Sequence, residues 1–485
     1  MHDTASVRTT TPDTTRRDNL VITLLLVSAF VVILNETIMG VAVPRLVDEL
    51  GIDYAAGQWL TTAFMLTMAV VIPLTGFLMK TFSTRALFIL AMTLFSVGTL
   101  MGALSPGFSM LVVARVVQAT GTAIMMPLLM TTVMTLVAPA HRGRMMGRIS
   151  IVIAVAPALG PTVSGLIIDA LPWQWLFVLV LPIALAALVL GAVKMVNVSE
   201  VSPTSIDVLS VVLSALGFGG LVFGLSSVSV PAGVLPFPWW APVVAGALAL
   251  LFFTLRQLAL QKRDAALIDL RTLTNRNFAV SLVIFALAMM AMFGALMILP
   301  IYLQNVLGLS VKEAGMLMLP GGLIMGLLGP VVGRLFDRIG ARPLIVPGAA
   351  IVAAVFFALS FANEHTSVWL VLIAHMTMSL GLAFMFTPLF SVSLGSLDPS
   401  LYGHGSALLN TIQQLAGAAG AALFISIMSV QIASSSAAGA TEVVATASGI
   451  RLVMLGAAVL AVAPVFIALL LKHVPVDENG AVAEQ

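Results

Sequence analysis

The stretch VITLLLVSAFVVILNETIMGVAV, residues 21–43, is apolar along nearly its whole length but carries one acid, Glu36. A helix needs roughly twenty mostly apolar residues to cross a lipid bilayer, so this stretch predicts a membrane span. An ionisable group inside hydrocarbon costs roughly 3 kcal/mol or more, and it persists mainly where it faces a polar interior. Glu36 is therefore the first candidate for a functional residue.

Composition extends this interpretation to the whole chain. Of its 485 residues, 60% are hydrophobic and 9% are charged, with a mean hydropathy of +1.12, whereas soluble proteins carry about 25% charged residues. The absence of cysteine excludes disulfides and thiolate metal sites. No glycine-rich segment is followed by the Lys-Ser/Thr pair that holds phosphates, so ATP is not the expected energy source. We expect no enzyme, no cofactor, no metal and no nucleic-acid partner.

Hydropathy predicts an all-α membrane protein with fourteen spans. They lie near 21–43, 58–79, 86–105, 108–132, 149–169, 173–193, 206–228, 239–258, 278–303, 314–335, 343–362, 367–391, 405–432 and 450–471. With a cytoplasmic N-terminus, the inner segments hold 18 of the 22 Lys and Arg residues. The positive-inside rule therefore places both termini in the cytoplasm.

An internal repeat divides these spans into 6+2+6. Pro44 matches Pro300 (300 − 44 = 256), and later pairs such as Arg85 with Arg342 (257) and Gly160 with Gly420 (260) keep the same order. Chance matching of Gly and Pro is the alternative, but the preserved order favours a repeat. The predicted parts are a tail (1–20), a six-helix bundle (21–193), a two-helix insert with a basic connector (194–277), a second six-helix bundle (278–472) and a tail (473–485).

Four motifs carry a family resemblance. The loop after the second span reads GFLMKTFSTR (76–85), and its repeat reads GRLFDRIGAR (333–342). The fourth span contains ARVVQATGTA (114–123), and the fifth contains APALGPTVSG (156–165). These resemble the patterns G-x-L-x-D-R-x-G-R-R, R-x-x-Q-G-x-G-x-A and G-x-x-x-G-P-x-x-G of the major facilitator superfamily, in its fourteen-span drug:proton antiporter branch. The resemblance covers nearly the whole chain.

The loop motif implies a conformational latch made by Asp337 with Arg338 and Arg342. A glycine allows the tight turn after a helix, and an acid there can hold a neighbouring helix end. The alternative is a solvated charge pair of little energetic value. In the first copy Lys80 replaces the acid, so the latch there should be weakened or absent. The connector basics, between Arg256 and Arg276, are interpreted as an amphipathic segment that faces lipid headgroups.

Arg115 is the only Lys or Arg residue well inside a predicted span. It lies roughly 10 Å below the outer surface at 1.5 Å per residue, and Glu36 lies at a similar depth. Since the resembled fold makes the first and fourth helices neighbours, we expect a buried Glu36–Arg115 pair assisted by Gln118. A structural ion pair is the alternative to a proton-coupling one. The family aspartate aligns with Asn35, one residue earlier, so Glu36 faces either the cavity or Arg115.

The second half adds fewer candidates. At offset 260 Arg115 falls on His375, a possible second protonation site or a structural histidine, and at offset 256 Glu36 falls on Met292. The polar residues Asn410, Gln413 and Gln414 of one span cannot all face lipid. The fifth-span motif predicts a hinge at Gly160 and Pro161. The predicted substrate cavity consists of Asn35, Gln118, Met292, Asn410 and Gln413.

The resemblance implies proton-coupled efflux of amphipathic or cationic drugs by alternating access, by a monomer in a bacterial plasma membrane. Its expected partners are a small drug-like molecule, protons and the lipid bilayer. Two alternatives stay open: an exporter dedicated to one endogenous metabolite or antibiotic, and a channel or sensor of the same fold.

Overall fold

The computed structural model describes residues 12–52, 54–198, 201, 206–229 and 236–472. That part of the chain contains fourteen helices long and apolar enough to cross a membrane, and no strand. They are α1 (Pro12–Leu50), α2 (Tyr54–Thr81), α3 (Thr84–Ala103), α4 (Phe108–Leu136), α5 (Arg142–Ala170), α6 (Val180–Lys194), α7 (Val208–Ser226), α8 (Trp240–Leu260), α9 (Arg276–Ile301), α10 (Val311–Ile339), α11 (Arg342–Leu359), α12 (Val368–Gly395), α13 (Tyr402–Ala437) and α14 (Glu442–Ile467). The predicted all-α class and number of spans are confirmed.

The helix ends differ in places from the expected ones. The first helix begins at Pro12, inside the predicted tail 1–20, while residues 1–11 and 473–485 lie outside the described part. A short turn, Trp175–Val178, precedes α6 within the sixth span. We call the face at which the described chain begins and ends the terminal face.

Two long contacts join the first six helices to the last six. The most extensive one runs between α5 and α10, and the other between α2 and α13; we call them the α5–α10 seam and the α2–α13 seam. The two helices between the halves pack against each other, and α7 also contacts both α2 and α13. The insert therefore lies against one seam only.

An ion pair fixes the insert at its terminal end. Both Asp207 carboxylate oxygens accept hydrogen bonds from Arg256, at 2.6 and 2.7 Å, and Asp207 also caps α7 by accepting from the Ser210 amide at 2.9 Å. The hydrogen bonds from Arg256 hold the pKa of Asp207 well below its usual range. This pair therefore joins the start of α7 to the last turns of α8.

The connector, residues 261–275, corrects one expectation. Lys262 and Arg263 are exposed, as a headgroup-facing segment requires, but Ala266, Leu267 and Ile268 are buried. The physical reason is Gln257, a fully buried residue of α8, whose Oε1 accepts from the Leu267 amide at 2.7 Å. This bond draws the middle of the connector into the protein.

The two loop motifs end their helices differently. In the second copy, Gly340 terminates α10 with φ +80°, a left-handed conformation that favours glycine. In the first copy, Ser83 stands where the family motif has glycine, and its hydroxyl accepts from the Ala86 amide at 3.3 Å. Ser83 is thus the N-cap of α3.

Candidate functional site

Arg115 lies at the centre of a buried polar cluster in the first half. Its side chain is 1% exposed, and Nη1 donates to Asn35 Oδ1 at 3.1 Å and to Gln118 Oε1 at 2.7 Å. Nε donates to the Leu60 carbonyl oxygen at 3.4 Å, and the guanidinium lies 4.0 Å from the centre of the Phe64 ring. Every one of these partners is neutral.

A further hydrogen bond extends the cluster to α3. Gln118 Nε2 donates to Thr99 Oγ1 at 2.9 Å, and both side chains are fully buried. Gln118 therefore holds Arg115 from one side while Thr99 holds Gln118. Leu60, Phe64 and Thr99 carried no sequence signal, because ordinary apolar and hydroxyl residues of a span have no distinguishing pattern.

Glu36 does not form the predicted ion pair with Arg115. In the described part of the chain it forms no hydrogen bond and no salt bridge, although its charge and that of Arg115 are close enough to interact. One residue turns a helix by about 100°, so the α1 face that presents Asn35 to Arg115 turns Glu36 aside. Asn35 is 2% exposed, whereas Glu36 remains partly exposed. Asn35, and not Glu36, therefore contacts Arg115.

Asp337 joins the two halves at the terminal face. Its Oδ1 accepts from the Gly143 amide at 2.8 Å and its Oδ2 from the Arg144 amide at 2.9 Å. These amides belong to the first turn of α5, where backbone N–H groups lack intrahelical partners and favour negative charge. The carboxylate at the end of α10 therefore caps a helix of the other half.

The predicted arginines take no part in this contact. Arg338 and Arg342 are exposed, and neither forms a salt bridge within the described residues. The partners of Asp337 are backbone amides, which the motif does not encode. This corrects the expected latch of an acid with flanking arginines.

Close backbone contact accompanies the Asp337 cap along the α5–α10 seam. A Cβ added to Gly143, Gly147, Gly329 or Gly333 would overlap a carbonyl oxygen of the facing helix. Nearer the opposite face, a Cβ on Gly165 or Gly315 would meet no atom within 4 Å. The two helices are therefore tightest at the terminal face and diverge away from it.

The remaining candidates lie apart from Arg115. His375 on α12 is 8% exposed, with Nε2 3.1 Å from the Met318 carbonyl oxygen of α10 and no described partner for Nδ1. Asn410 Nδ2 donates to the Ser406 carbonyl oxygen, one turn earlier in α13, at 2.8 Å. Met292 and Gln413 are partly buried, on α9 and α13. The structure does not bring these residues together with Arg115.

Gly160 of the predicted hinge packs closely on α1. A Cβ there would overlap the Thr37 hydroxyl, one residue from Glu36. Pro161 lies within α5, but its side chain is outside the described part.

Several hydroxyl contacts between the halves were missed by the sequence. Ser150 of α5 and Thr387 of α12 are 2.8 Å apart and buried, and Ser406 of α13 donates to the Pro127 carbonyl oxygen of α4 at 3.0 Å. Gln414 of α13 donates to the sulfur of Met68 in α2 at 3.6 Å, although its sequence pattern indicates only a polar residue. Nothing in the sequence identifies which hydroxyl crosses to the other half.

The sequence is similar to a known protein family and to several of its members. The family model for the Major Facilitator Superfamily matches residues 25–421. The uncharacterized MFS-type transporter YcnB of Bacillus subtilis is 38% identical over 460 residues, covering 94% of this chain and 95% of that one. The lincomycin resistance protein LmrB of Listeria monocytogenes is 39% identical over 405 residues, covering 83% and 85%.

Two solved structures share the fold. The human organic anion transporter MFSD10 (TETRAN) superposes with a TM-score of 0.65 and 15% sequence identity, covering 93% of this chain and 99% of that one. The proton:xylose symporter XylE gives 0.61 and 15%, covering 93% and 95%. At this identity the likeness concerns the fold alone.

Proposed function

The chain belongs to the Major Facilitator Superfamily, and from this premise we propose that it exports amphipathic or cationic drugs in exchange for protons by alternating access. Relatives named for lincomycin resistance support a drug as the substrate. The family and its fold make the chain a multi-pass membrane transporter rather than an enzyme. The bacterial plasma membrane is the proposed location.

One observation carries the proposed coupling. Neutral groups already satisfy the Arg115 guanidinium, while Glu36 beside it has no hydrogen bond or salt bridge in the described part of the chain. A fixed structural ion pair would engage both charges directly. An acid that no partner engages is instead free to bind a proton or a cationic substrate, one at a time. Competition between these two ligands for one carboxylate is what antiport requires.

The closed α5–α10 seam supports assigning the structure to one stage of the proposed transport cycle. Asp337 and the glycines of the α5–α10 seam close the terminal face, and the positive-inside rule makes that face cytoplasmic. Glu36 would then exchange its ligand with the outside in this state. Inward access requires the Asp337 hydrogen bonds to break.

The test is uphill transport of ethidium into proteoliposomes that are acidified inside. We expect Glu36→Gln to lose nearly all pH-driven accumulation, because glutamine cannot take up and release a proton. A single symmetric peak in size-exclusion chromatography, as for the unchanged protein, should show that the variant is folded. Glu442→Gln is the matched control, since Glu442 is an exposed acid at the start of α14 without a salt bridge in the described part.

Unchanged pH-driven accumulation in Glu36→Gln would remove Glu36 from coupling. His375→Ala belongs in the same assay, because the unpartnered Nδ1 of His375 makes it a second protonation site under this proposal. We expect a partial loss there, since within the described residues no acid interacts with His375 to compete with a cation. Lincomycin, the compound in the relatives' names, is the second substrate to assay.

A further inference from the structure

The α2–α13 seam is built differently from the α5–α10 seam, although the repeat makes them equivalent. Gly76 and Lys80 of α2 correspond to Gly333 and Asp337 of α10 (333 − 76 = 257; 337 − 80 = 257), and Gly403 corresponds to Gly143 (403 − 143 = 260). A Cβ on Gly403 would lie 3.5 Å from the nearest atom, an ordinary contact. This seam therefore lacks the acid of its counterpart, and its backbones approach less closely.

The connector fills this place. A Cβ on Gly76 would lie 2.9 Å from His404 Nδ1 and 3.5 Å from the Leu267 carbonyl oxygen. One point thus brings together α2, the start of α13 and the buried middle of the connector. Lys80, in the position of the missing acid, donates to the Asp264 carbonyl oxygen of the connector at 2.8 Å.

The connector is anchored at its middle and at its far end. Gln257 holds the Leu267 amide at 2.7 Å and also donates to Ser210 Oγ at 2.8 Å, which ties the connector to α7 and α8. At its far end Asn275 Nδ2 donates to the Ser396 carbonyl oxygen, next to α12 of the second half, at 2.6 Å. Its contacts with Gly76 and Lys80 reach the first half.

Inside the connector, ion pairs keep one shape. Arg271 lies 2.6 Å from a carboxylate oxygen of Asp264 and 2.6 Å from one of Asp269. Asp264 adopts φ +51°, a left-handed conformation that is uncommon for residues other than glycine but that aspartate tolerates, at the turn where its carbonyl meets Lys80. The connector is therefore a structured segment and not a flexible linker.

Unsatisfied polar atoms accumulate where the connector meets the seam. Thr81 Oγ1, Gln261 Oε1 and His404 Nδ1 are buried without a hydrogen-bond partner in the described part. Buried polar atoms without partners cost free energy, so this contact is one that the molecule can break. Among the described residues of the α5–α10 terminal contact, by comparison, the Asp337 carboxylate has both oxygens paired.

We propose that the connector is a detachable strap: it closes the α2–α13 seam in place of the acid lost at Lys80, and it must leave α2 before the transporter opens to the cytoplasm. This inference rests on the alternating access proposed above. It assigns to the two-helix insert a role in gating, because α7 and α8 carry the strap to the seam.

Crosslinking tests the strap directly. The chain has no cysteine, so a Lys80→Cys/Asp264→Cys pair can be joined by a cleavable bis-thiosulfonate reagent without background. We expect the crosslinked protein to lose nearly all ethidium transport and to regain it on reduction. The matched control is Asp264→Cys/Arg271→Cys, which lies entirely within the connector and should transport when crosslinked. Full transport by the crosslinked Lys80–Asp264 pair would overturn the proposal.

A second measurement does not depend on transport. Spin labels at Phe82 and Ser400 span the terminal end of the α2–α13 seam, and labels at His141 and Ile339 span the α5–α10 seam; all four residues are exposed. Gln257→Ala releases the strap, so it should add a longer distance for the first pair and leave the second unchanged. An unchanged first pair would refute the strap, whereas distances that never respond to substrate or pH would refute alternating access itself.

Discussion

The two seams reach the same closure by different chemistry. At the α5–α10 seam, the backbones of Gly143 and Gly333 touch, and one carboxylate from Asp337 caps the facing helix. At the α2–α13 seam, the backbones approach less closely: a Cβ on Gly76 would lie 3.3 Å from His404 Cα, and the connector's Leu267 carbonyl oxygen lies beside the same point. The repeat therefore preserves the arrangement of the helices, whereas the interaction that closes the seam differs between the two copies.

Distance decides which chemistry each seam can use. A carboxylate reaches two amides of another helix only where the backbones nearly touch, as they do beside Asp337. At the α2–α13 seam the backbones approach less closely and Lys80 stands in place of the acid, and the connector supplies the Asp264 and Leu267 carbonyls beside α2. The difference predicts which substitutions each seam tolerates.

The largest expected effect is steric. Gly333→Ala places a methyl group onto the Gly143 carbonyl oxygen, and because backbone cannot rotate away, the helices must separate. We expect the closed state to lose about 1 to 3 kcal/mol, the range for overpacking a well-packed contact. The His141–Ile339 spin-label distance should lengthen, and transport should fall accordingly.

Gly403→Ala is the control for this comparison. Its new Cβ would lie 3.5 Å from Met79 Cε, an ordinary contact with the end of a flexible side chain. Its effect should stay within about 0.5 kcal/mol. An equal loss of closed-state stability in Gly333→Ala and Gly403→Ala would mean that the two seams are packed alike.

A smaller effect is expected from Asp337→Asn. The amide keeps one acceptor oxygen for Gly143 but loses the second hydrogen bond and the charge at the start of α5. The closed seam should weaken by about 1 to 2 kcal/mol, which the same spin-label pair measures as a redistribution of distances. Asp398→Asn is the matched control, because Asp398 is exposed before α13 and its side chain caps no helix. A silent Asp337→Asn variant would show that the glycines alone close this seam.

Hydropathy and the repeat predicted the fold because a membrane leaves few choices. Every backbone amide of a span must find its partner within the helix, so length and apolar composition suffice to locate the fourteen helices. The connector escaped this logic. Its buried middle depends on the side chain of Gln257 in α8. A short irregular loop has no hydrophobic periodicity from which such a contact could be predicted.

The sequence could nominate candidate residues but not the partners that they contact. Asp337 stood out by its motif, yet its partners are amides that have no sequence signature. Arg115 and Glu36 shared a depth, but helix rotation gave the contact to Asn35. Depth along a helix can be counted from residues, whereas its rotation against neighbours is set by packing of the whole bundle.

The smallest effect, and the sharpest test of the comparison, belongs to Lys80→Asp, which gives both loop motifs an acid. The side chain at position 80 faces the Asp264 carbonyl of the connector and not an amide of α13, so the substitution should only lose the bond to that carbonyl. That partly exposed bond is worth about 1 kcal/mol at most, and the Phe82–Ser400 distance should lengthen only slightly. Lys80→Met, which removes the same bond without adding an acid, should match it. Tightening by Lys80→Asp alone would mean that the second seam accepts an acid latch after all, and that the connector supplements it instead of replacing it.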